Sequence, residues 1–305
     1  MTIAAGRGRR DDRVVGWLQT QLPKLVLSPS ILIITVFVYG FILWTIGLSF
    51  SKSRILPVYK FAGFEAYEKL WALPNWYVAL ENLAIFGVLY IGLCVVLGLV
   101  LAILLDQRIR IEGGLRPIYL YPMALSFIVT GTAWKWFLNP GLGLDKTMHE
   151  WGWTSFAFDW LVNPDMAIYT IVIAGIWQSS GFVMAMFLAG LRGIDGEVVR
   201  AAQIDGASTV QLYRRIIIPQ LRPAFLSAVI VLAHMAIKSY DLVIALTGGG
   251  PGNTTEMPAT FMYSYTFTRN QMAVGGASAV IMLMTIAAII VPYLYAELRE
   301  PRHGS

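Results

Sequence analysis

Residues 197–223 read EVVRAAQIDGASTVQLYRRIIIPQLRP, the one long polar, helix-competent interval between otherwise apolar stretches. Ser208-Thr209-Val210-Gln211 has the form of a capping box, in which the serine hydroxyl and the glutamine amide satisfy two backbone amides left free at a helix start. Gly206 supplies a turn just before it. Val210, Leu212, Tyr213, Ile216 and Ile217 recur with a helical period, so an amphipathic helix is expected, with Arg214 and Arg215 turned elsewhere. Pro219 and Pro223 are expected to end it. The interval is a helix, a glycine turn and a second helix, too polar to cross a bilayer. It reads either as a solvated loop joining two spans or as a docking surface for a soluble partner.

The rest of the chain explains why a polar interval stands out. The 305 residues are 57% apolar and 13% charged, with a mean hydropathy of +0.63, which excludes an ordinary globular domain. A bilayer core takes roughly 20 apolar residues per helical span. Six stretches of that length can be read, at about 26–50, 78–105, 116–138, 166–191, 221–246 and 273–296. The expected fold is an all-α integral membrane protein with six transmembrane helices. A tail over 1–25 precedes the transmembrane domain over 26–298, the polar loop lies at about 195–220, and a second tail covers 299–305.

Lysine and arginine placement orients such a chain. Arg7, Arg9, Arg10, Arg13 and Lys24 precede the first span, Arg108, Arg110 and Arg116 follow the second, and Arg299 and Arg302 follow the last. Arg192, Arg200, Arg214, Arg215 and Arg222 fall around the polar loop. The other side holds fewer, so both termini and the polar loop are expected in the cytoplasm. The net charge of +5 follows from this bias and is not read as nucleic-acid binding. The single Cys94 excludes an intrachain disulfide and reads as a small core residue. The first apolar run is too long for a secretory signal and is expected to be retained as an anchor.

Between the spans, Trp71, Trp76 and Tyr77 fit an interfacial aromatic belt, and the loop over 139–165, with Trp151, Trp153 and Trp160, is either a docking surface or a plain interfacial loop. Gly87, Gly92 and Gly98 allow close helix approach in the second span, and Gly275 and Gly276 do so in the last. Pro122 is expected to kink the third span.

The chain carries little catalytic chemistry. His149, His234 and His303 are scattered without a metal-binding spacing. Gly248-Gly249-Gly250 is followed by Pro251 and by no Lys-Ser or Lys-Thr, so no nucleotide cradle is encoded. Trp177 and Gln178, beside Ser179 and Ser180, lie in the middle of the fourth span, where polar groups must find protein or water. Lys238 and Asp241, three apart in the fifth span, either neutralise each other or line a hydrophilic path with Tyr240. Trp177 reads equally as a core aromatic. With Gln178 and Tyr240 it would offer a sugar both an aromatic face and hydrogen bonds.

Almost the whole chain resembles the permeases of binding-protein-dependent ABC importers, and specifically the carbohydrate subfamily that includes the maltose-transporter membrane subunits. The run from Arg200 through Ala201, Ala202, Asp205, Gly206 and Ala207, with Pro219 after it, looks like the Glu-Ala-Ala-x-x-x-Gly coupling loop of that family. Ser239-Tyr240-Asp241, followed by Leu246-Thr247-Gly248-Gly249-Gly250-Pro251, looks like its fifth-span signature. Tyr119-Leu120-Tyr121-Pro122 and Trp134-Lys135-Trp136 are similar to it in the third span, and these segments look closest to bacterial glucose and mannose permease subunits.

The resemblance implies a type I importer fold with a cytoplasmic coupling helix, in the inner membrane. It also implies a heterodimer with a second permease subunit, two ATPase subunits and an extracytoplasmic sugar-binding protein. No cofactor is then bound by this chain, ATP and magnesium belonging to the ATPase. One position departs from the motif: Arg200 stands where the family usually has glutamate, and Glu197 or Asp205 could take over its contact. A secondary transporter or channel is the alternative, and its coupling ion would need a buried carboxylate, for which Asp241 is the one candidate.

Overall fold

The computed structural model describes residues 21–22, 24, 26–107 and 112–299. Nearly all of the expected 1–25 tail lies outside the described residues, as do Arg108, Arg110 and Arg302. Among the described residues every regular element is helical, the one strand-like contact being a bridge between Ser51 and Phe61.

Helix α1 (Val26–Ser49) exposes apolar side chains along nearly all its length, as a helix facing lipid does. After the short α2 (Glu65–Trp71) comes α3 (Pro74–Asp106), which opens on Pro74, where a missing N–H leaves no bond unmade. Its buried residues, among them Trp76, Ala79, Phe86, Tyr90, Cys94 and Ala102, recur three or four apart and form one stripe. That stripe corrects the belt assignment of Trp76. Its ring is fully buried against Phe261 at 5.1 Å between centroids, whereas Trp71 and Tyr77 are exposed.

The third stretch is two helices, α4 (Glu112–Ala124) and α5 (Phe127–Phe137). Pro122 removes an amide near the end of α4, and the Ser126 hydroxyl caps α5 by accepting from the Val129 amide at 3.3 Å, so the chain restarts instead of kinking. The 139–165 loop carries α6 (Leu144–Glu150) and leads into α7 (Ala167–Arg192). Helix α7 is the most buried long helix and packs along α3. Of the three glycines expected to allow close helix approach, Gly98 does so at this contact: a Cβ there would lie 2.6 Å from Val183 Cγ1, while Gly87 and Gly92 face open space.

The polar interval forms α8 (Gly196–Ile204) and α9 (Thr209–Gln220), followed by α10 (Arg222–Ile237) at a 62° bend. Pro219 does not end α9. The turn before it, Tyr213–Ile217, is a π turn in which the Ile218 amide bonds to Tyr213, so the helix is already rewound where the proline lacks its donor. Pro223 does mark the boundary, in the first turn of α10.

The fifth stretch is also divided, into α10 and α11 (Asp241–Leu246), with α11 packed on α5. Then follow α12 (Pro258–Tyr263) and α13 (Met272–Arg299). At the α1 contact with α13, a Cβ on Gly276 would lie 3.5 Å from the Ser49 amide, the close packing expected there. Four single helices, α1, α3, α7 and α13, are long and apolar enough to span, or up to five if the bent pair α9 and α10 counts as one. The six stretches are therefore not six unbroken helices.

Candidate functional site

The first surface is the corner between α8 and α9. Asp195 caps α8 by accepting from the Glu197 amide at 2.9 Å. The helix closes on a left-handed Gly206, φ 80°, with the Gly206 amide bonded to Gln203 O at 3.1 Å and the Ala207 amide to Ala202 O at 3.0 Å. That pair of bonds is the Schellman closure, and it needs a residue that tolerates positive φ. Helix α9 starts at once, its capping box formed in both directions between Ser208 and Gln211.

This corner has a fastened side and a free side. Ala202, Leu212 and Ile217 are buried against the helical core, and Gln107 at the end of α3 donates to the Tyr213 hydroxyl at 3.1 Å. Outward stand Glu197, Arg200, Ala201 and Asp205, all exposed. Arg200 lies 3.8 Å from Glu197, with 76% and 83% of the side chains exposed, so the guanidinium is shared between a neighbour and water. An exposed pair contributes only ~0 to 1 kcal/mol. Sequence reasoning passed over Ile204 and set Val210 on the apolar face of the helix, from which the structure turns it outward. Ile204 is 85% and Val210 74% exposed, flanking the glycine turn and uncovered by any described residue. Their apolar character was visible, but burial was the default for both.

The second site is the break between α10 and α11. Lys238, Tyr240 and Asp241 line a hollow of about 60 Å³ together with Phe86, Tyr90 and Phe127. Tyr240 packs on Tyr263 at 5.0 Å between ring centroids. Lys238 and Asp241 form no ion pair with each other: Lys238 ends one helix, Asp241 starts the next, and both are exposed. Mutual neutralisation assumed one continuous helix, and the break removes it. The hollow is far smaller than the several hundred Å³ of a ligand pocket, too small to hold a sugar as it stands.

Trp177 and Gln178 do not line that hollow. Trp177 packs edge-on against Trp134 at 5.9 Å and is 40% exposed. Gln178 is buried and turned to the α4–α5 break, where its Nε2 donates to the Leu125 carbonyl at 2.8 Å. Beside them, the Ser179 hydroxyl accepts from Tyr90 at 2.7 Å.

Sequence reasoning gave no role to two further residues, Asn82 and Glu256, although Glu256 closes the segment that resembles the family's fifth-span signature. Asn82 in α3 donates from one amide nitrogen to both Thr254 O at 2.8 Å and Glu256 O at 2.9 Å, clamping the loop after Gly248-Gly249-Gly250. The Glu256 carboxyl is buried beneath that loop, and burial pushes its pKa up against the opposing influence of Arg269 and of a hydrogen bond from Asn75. Among the described residues no cluster of three or more His, Cys, Asp or Glu side chains is arranged to hold a metal ion.

An exposed corner fastened to long apolar helices, with a small hollow lined by both aromatic and charged residues at a helix break, is an arrangement suited to transport. Residues 94–303 match the family model described as binding-protein-dependent transport system inner membrane component. The chain belongs to this family. It is a permease subunit of a binding-protein-dependent importer, a transport subunit and not an enzyme.

Similar members extend over almost the full length. A "Probable ABC transporter permease protein" of Pyrococcus horikoshii is 42% identical over 273 residues, covering 89% of this chain and 94% of the relative. The xylose/arabinose import permease protein XacH of Haloferax volcanii is 36% identical, with 95% of each chain covered. The trehalose/maltose transport system permease protein MalF of Thermococcus litoralis is 28% identical, over 90% of this chain and 93% of the relative. In fold, the permease is similar to a solved chain of a bacterial ABC transporter involved in the import of the acidic polysaccharide alginate. The TM-score is 0.81 at 18% identity, with 95% of this chain and 100% of that chain covered.

Proposed function

We propose that the chain is one of two permease subunits of an ATP-driven sugar importer, and that the α8–α9 corner is where an ATPase subunit docks. The observation that carries the docking reading is the pair Ile204 and Val210, held outward by a capped and closed turn and left uncovered. A merely solvated loop has no reason to present two large aliphatic side chains on a rigid corner. Glu197, Arg200 and Asp205 surround them as a polar rim, and the Gln107–Tyr213 bond gives a direct link from the corner to α3.

Six spans fit this reading if α4 with α5 and α10 with α11 are each one broken span, while α9 lies along the membrane surface. Helix α9 carries Gln211, Arg214 and Arg215, which argues against burying it in lipid. The lysine and arginine distribution supports a cytoplasmic position for the corner and both chain ends. The α10–α11 break becomes part of the solute path, with Lys238 and Asp241 already exposed there and the partly buried Tyr240 beside them. Backbone groups freed at such a break are tolerated where they line a cavity. Trp177, in the half-exposed rim beside Trp134, supplies an aromatic face to the same path, and Gln178 keeps its neighbouring helix break in shape.

The sugar class is supported by the names of the relatives, xylose/arabinose and trehalose/maltose. An extracytoplasmic binding protein as a partner is supported by the family description and by the solved alginate transporter, whose second structure is in complex with a periplasmic protein carrying an alginate pentasaccharide. A second permease and two ATPases complete the assembly, and ATP and magnesium act at the ATPases.

Proteoliposomes holding the assembled importer test the proposal. Sugar uptake should require ATP inside, the binding protein outside, and no ion gradient. Uptake that follows a sodium or proton gradient and ignores ATP would establish a secondary transporter instead.

A further inference from the structure

A hollow of about 880 Å³ lies apart from both sites above. It lies where three long helices end together: after Ser49 of α1, before Pro74 of α3 and before Met272 of α13. Its lining contains four cations, Lys52, Arg54, Lys69 and Arg269, and one carboxylate, Glu65. Glu65 is already engaged, at 2.7 Å by Lys69 and 3.8 Å by Lys52, and these cations hold its pKa below the usual carboxylate value. Arg269 is fixed on Tyr265, donating to its hydroxyl at 2.9 Å and stacking over its ring at 4.6 Å. Arg54 acts on Glu65 at longer range only, its side chain making no hydrogen bond or close ion pair among the described residues. The hollow thus carries surplus positive charge, with the Arg54 guanidinium exposed at its edge.

The loop that supplies Lys52 and Arg54 is tied down by its backbone. Lys52 N bonds to Lys60 O at 3.0 Å, Ala62 N to Phe50 O at 2.8 Å, Met272 N to Arg54 O at 3.1 Å and Ala273 N to Ser53 O at 3.1 Å. Yet it holds Ile55, Leu56, Tyr59, Phe61 and Phe64 exposed. Aliphatic and aromatic side chains interleaved with Lys52, Arg54 and Lys60, on a fixed loop at the ends of three apolar helices, match the headgroup layer of a bilayer: apolar groups enter the acyl boundary and cations meet phosphates.

We propose that this hollow binds the headgroup of an anionic phospholipid, with Arg54 as its principal phosphate contact. Lys52 and Lys69 supply the surrounding positive field, and the exposed apolar side chains of the loop pack on the acyl chains. Arginine suits the role because its planar fork can hold a phosphate through two hydrogen bonds.

The test is native mass spectrometry of the assembled importer released from bilayers of equal phosphatidylglycerol and phosphatidylcholine with matched acyl chains. The unmodified importer should retain phosphatidylglycerol in preference to phosphatidylcholine. Arg54→Gln should lower that retention about fivefold, the effect of one basic residue near an anionic membrane surface, and Arg54→Glu should lower it further. Lys146→Gln, on the distant helix α6, should leave it unchanged. Equal retention of the two lipids, or undiminished phosphatidylglycerol on Arg54→Glu, would overturn the proposal. So would removal of the bound lipid by millimolar inorganic phosphate, which would make the hollow a site for a free anion.

Discussion

Replacing Gly206 perturbs the α8–α9 corner through the backbone alone. A Cβ at this position meets nothing within 4 Å, so no substitution is resisted by packing. The residue sits at φ 80°, however, where an L side chain crowds its own carbonyl. Alanine should therefore cost about 1 to 2 kcal/mol and β-branched valine up to about 3, whereas asparagine, which visits this region readily, should cost less. The corner relieves the strain by opening its closure, losing the Ala207–Ala202 and Gly206–Gln203 bonds that hold Ile204 and Val210 in fixed relation. A penalty of about 1 to 3 kcal/mol shifts the ratio of closed to open corners roughly 5- to 150-fold. The assay is the number of ATP molecules hydrolysed per sugar taken up in proteoliposomes, with assembly measured alongside. Uptake should fall in the order Gly, Asn, Ala, Val while the subunit still inserts. Equal coupling in Gly206→Val and the unmodified importer would refute the argument, because strain without packing loss is all that the substitution introduces.

Gln178→Ala removes the donor to the partly buried Leu125 carbonyl and should destabilise the purified subunit by about 1 kcal/mol in thermal unfolding, with uptake falling only as folded protein falls; unaltered stability would return Gln178 to the solute path. Gly181→Ala places a methyl group against the Tyr119 carbonyl oxygen of α4, so the fraction of monodisperse protein after detergent extraction should collapse; a normal yield would mean that α4 and α7 separate freely there. Glu256 has a folded-state pKa raised by burial, so the native state holds its proton to higher pH than the unfolded chain does. Its contribution favours folding in acid and is lost as pH rises through the raised value. Glu256→Gln should therefore stabilise the subunit at neutral pH and flatten stability against pH above the ordinary carboxylate range; a steeper dependence in the variant would show that the Arg269 and Asn75 contacts outweigh burial.

The features that could be read from sequence are those whose causes lie within a few residues. The Ser208–Gln211 capping box, the turn at Gly206 and the apolar runs of α1, α3, α7 and α13 all formed where expected. The features that could not be read depend on partners far along the chain. The restart at Ser126 is stabilised by Gln178, fifty-three positions away, and the glycine loop is clamped by Asn82 from more than 170 positions away. Lys238 and Asp241 were spaced for pairing on one helix, but period alone gives no sign that Lys238 ends one helix and Asp241 begins another. Exposure was misjudged at two positions: Trp76 went inward because it falls on the buried stripe of α3, and Val210, which follows the apolar period of α9, stands outward beside the Gly206 turn.

Docking of an ATPase at the α8–α9 corner is the central claim, and one cross-linking measurement addresses it directly. Cys94 is the only cysteine and is fully buried, so Ile204→Cys creates a single accessible thiol at the apolar tip of the corner. A short bifunctional thiol–amine reagent applied to membranes holding the assembled importer should join this position to one protein, which mass spectrometry should identify as the ATPase subunit, while a thiol introduced at Leu142, exposed on the loop before α6, should not. Efficient capture of the ATPase from Leu142→Cys with none from Ile204→Cys would contradict the account.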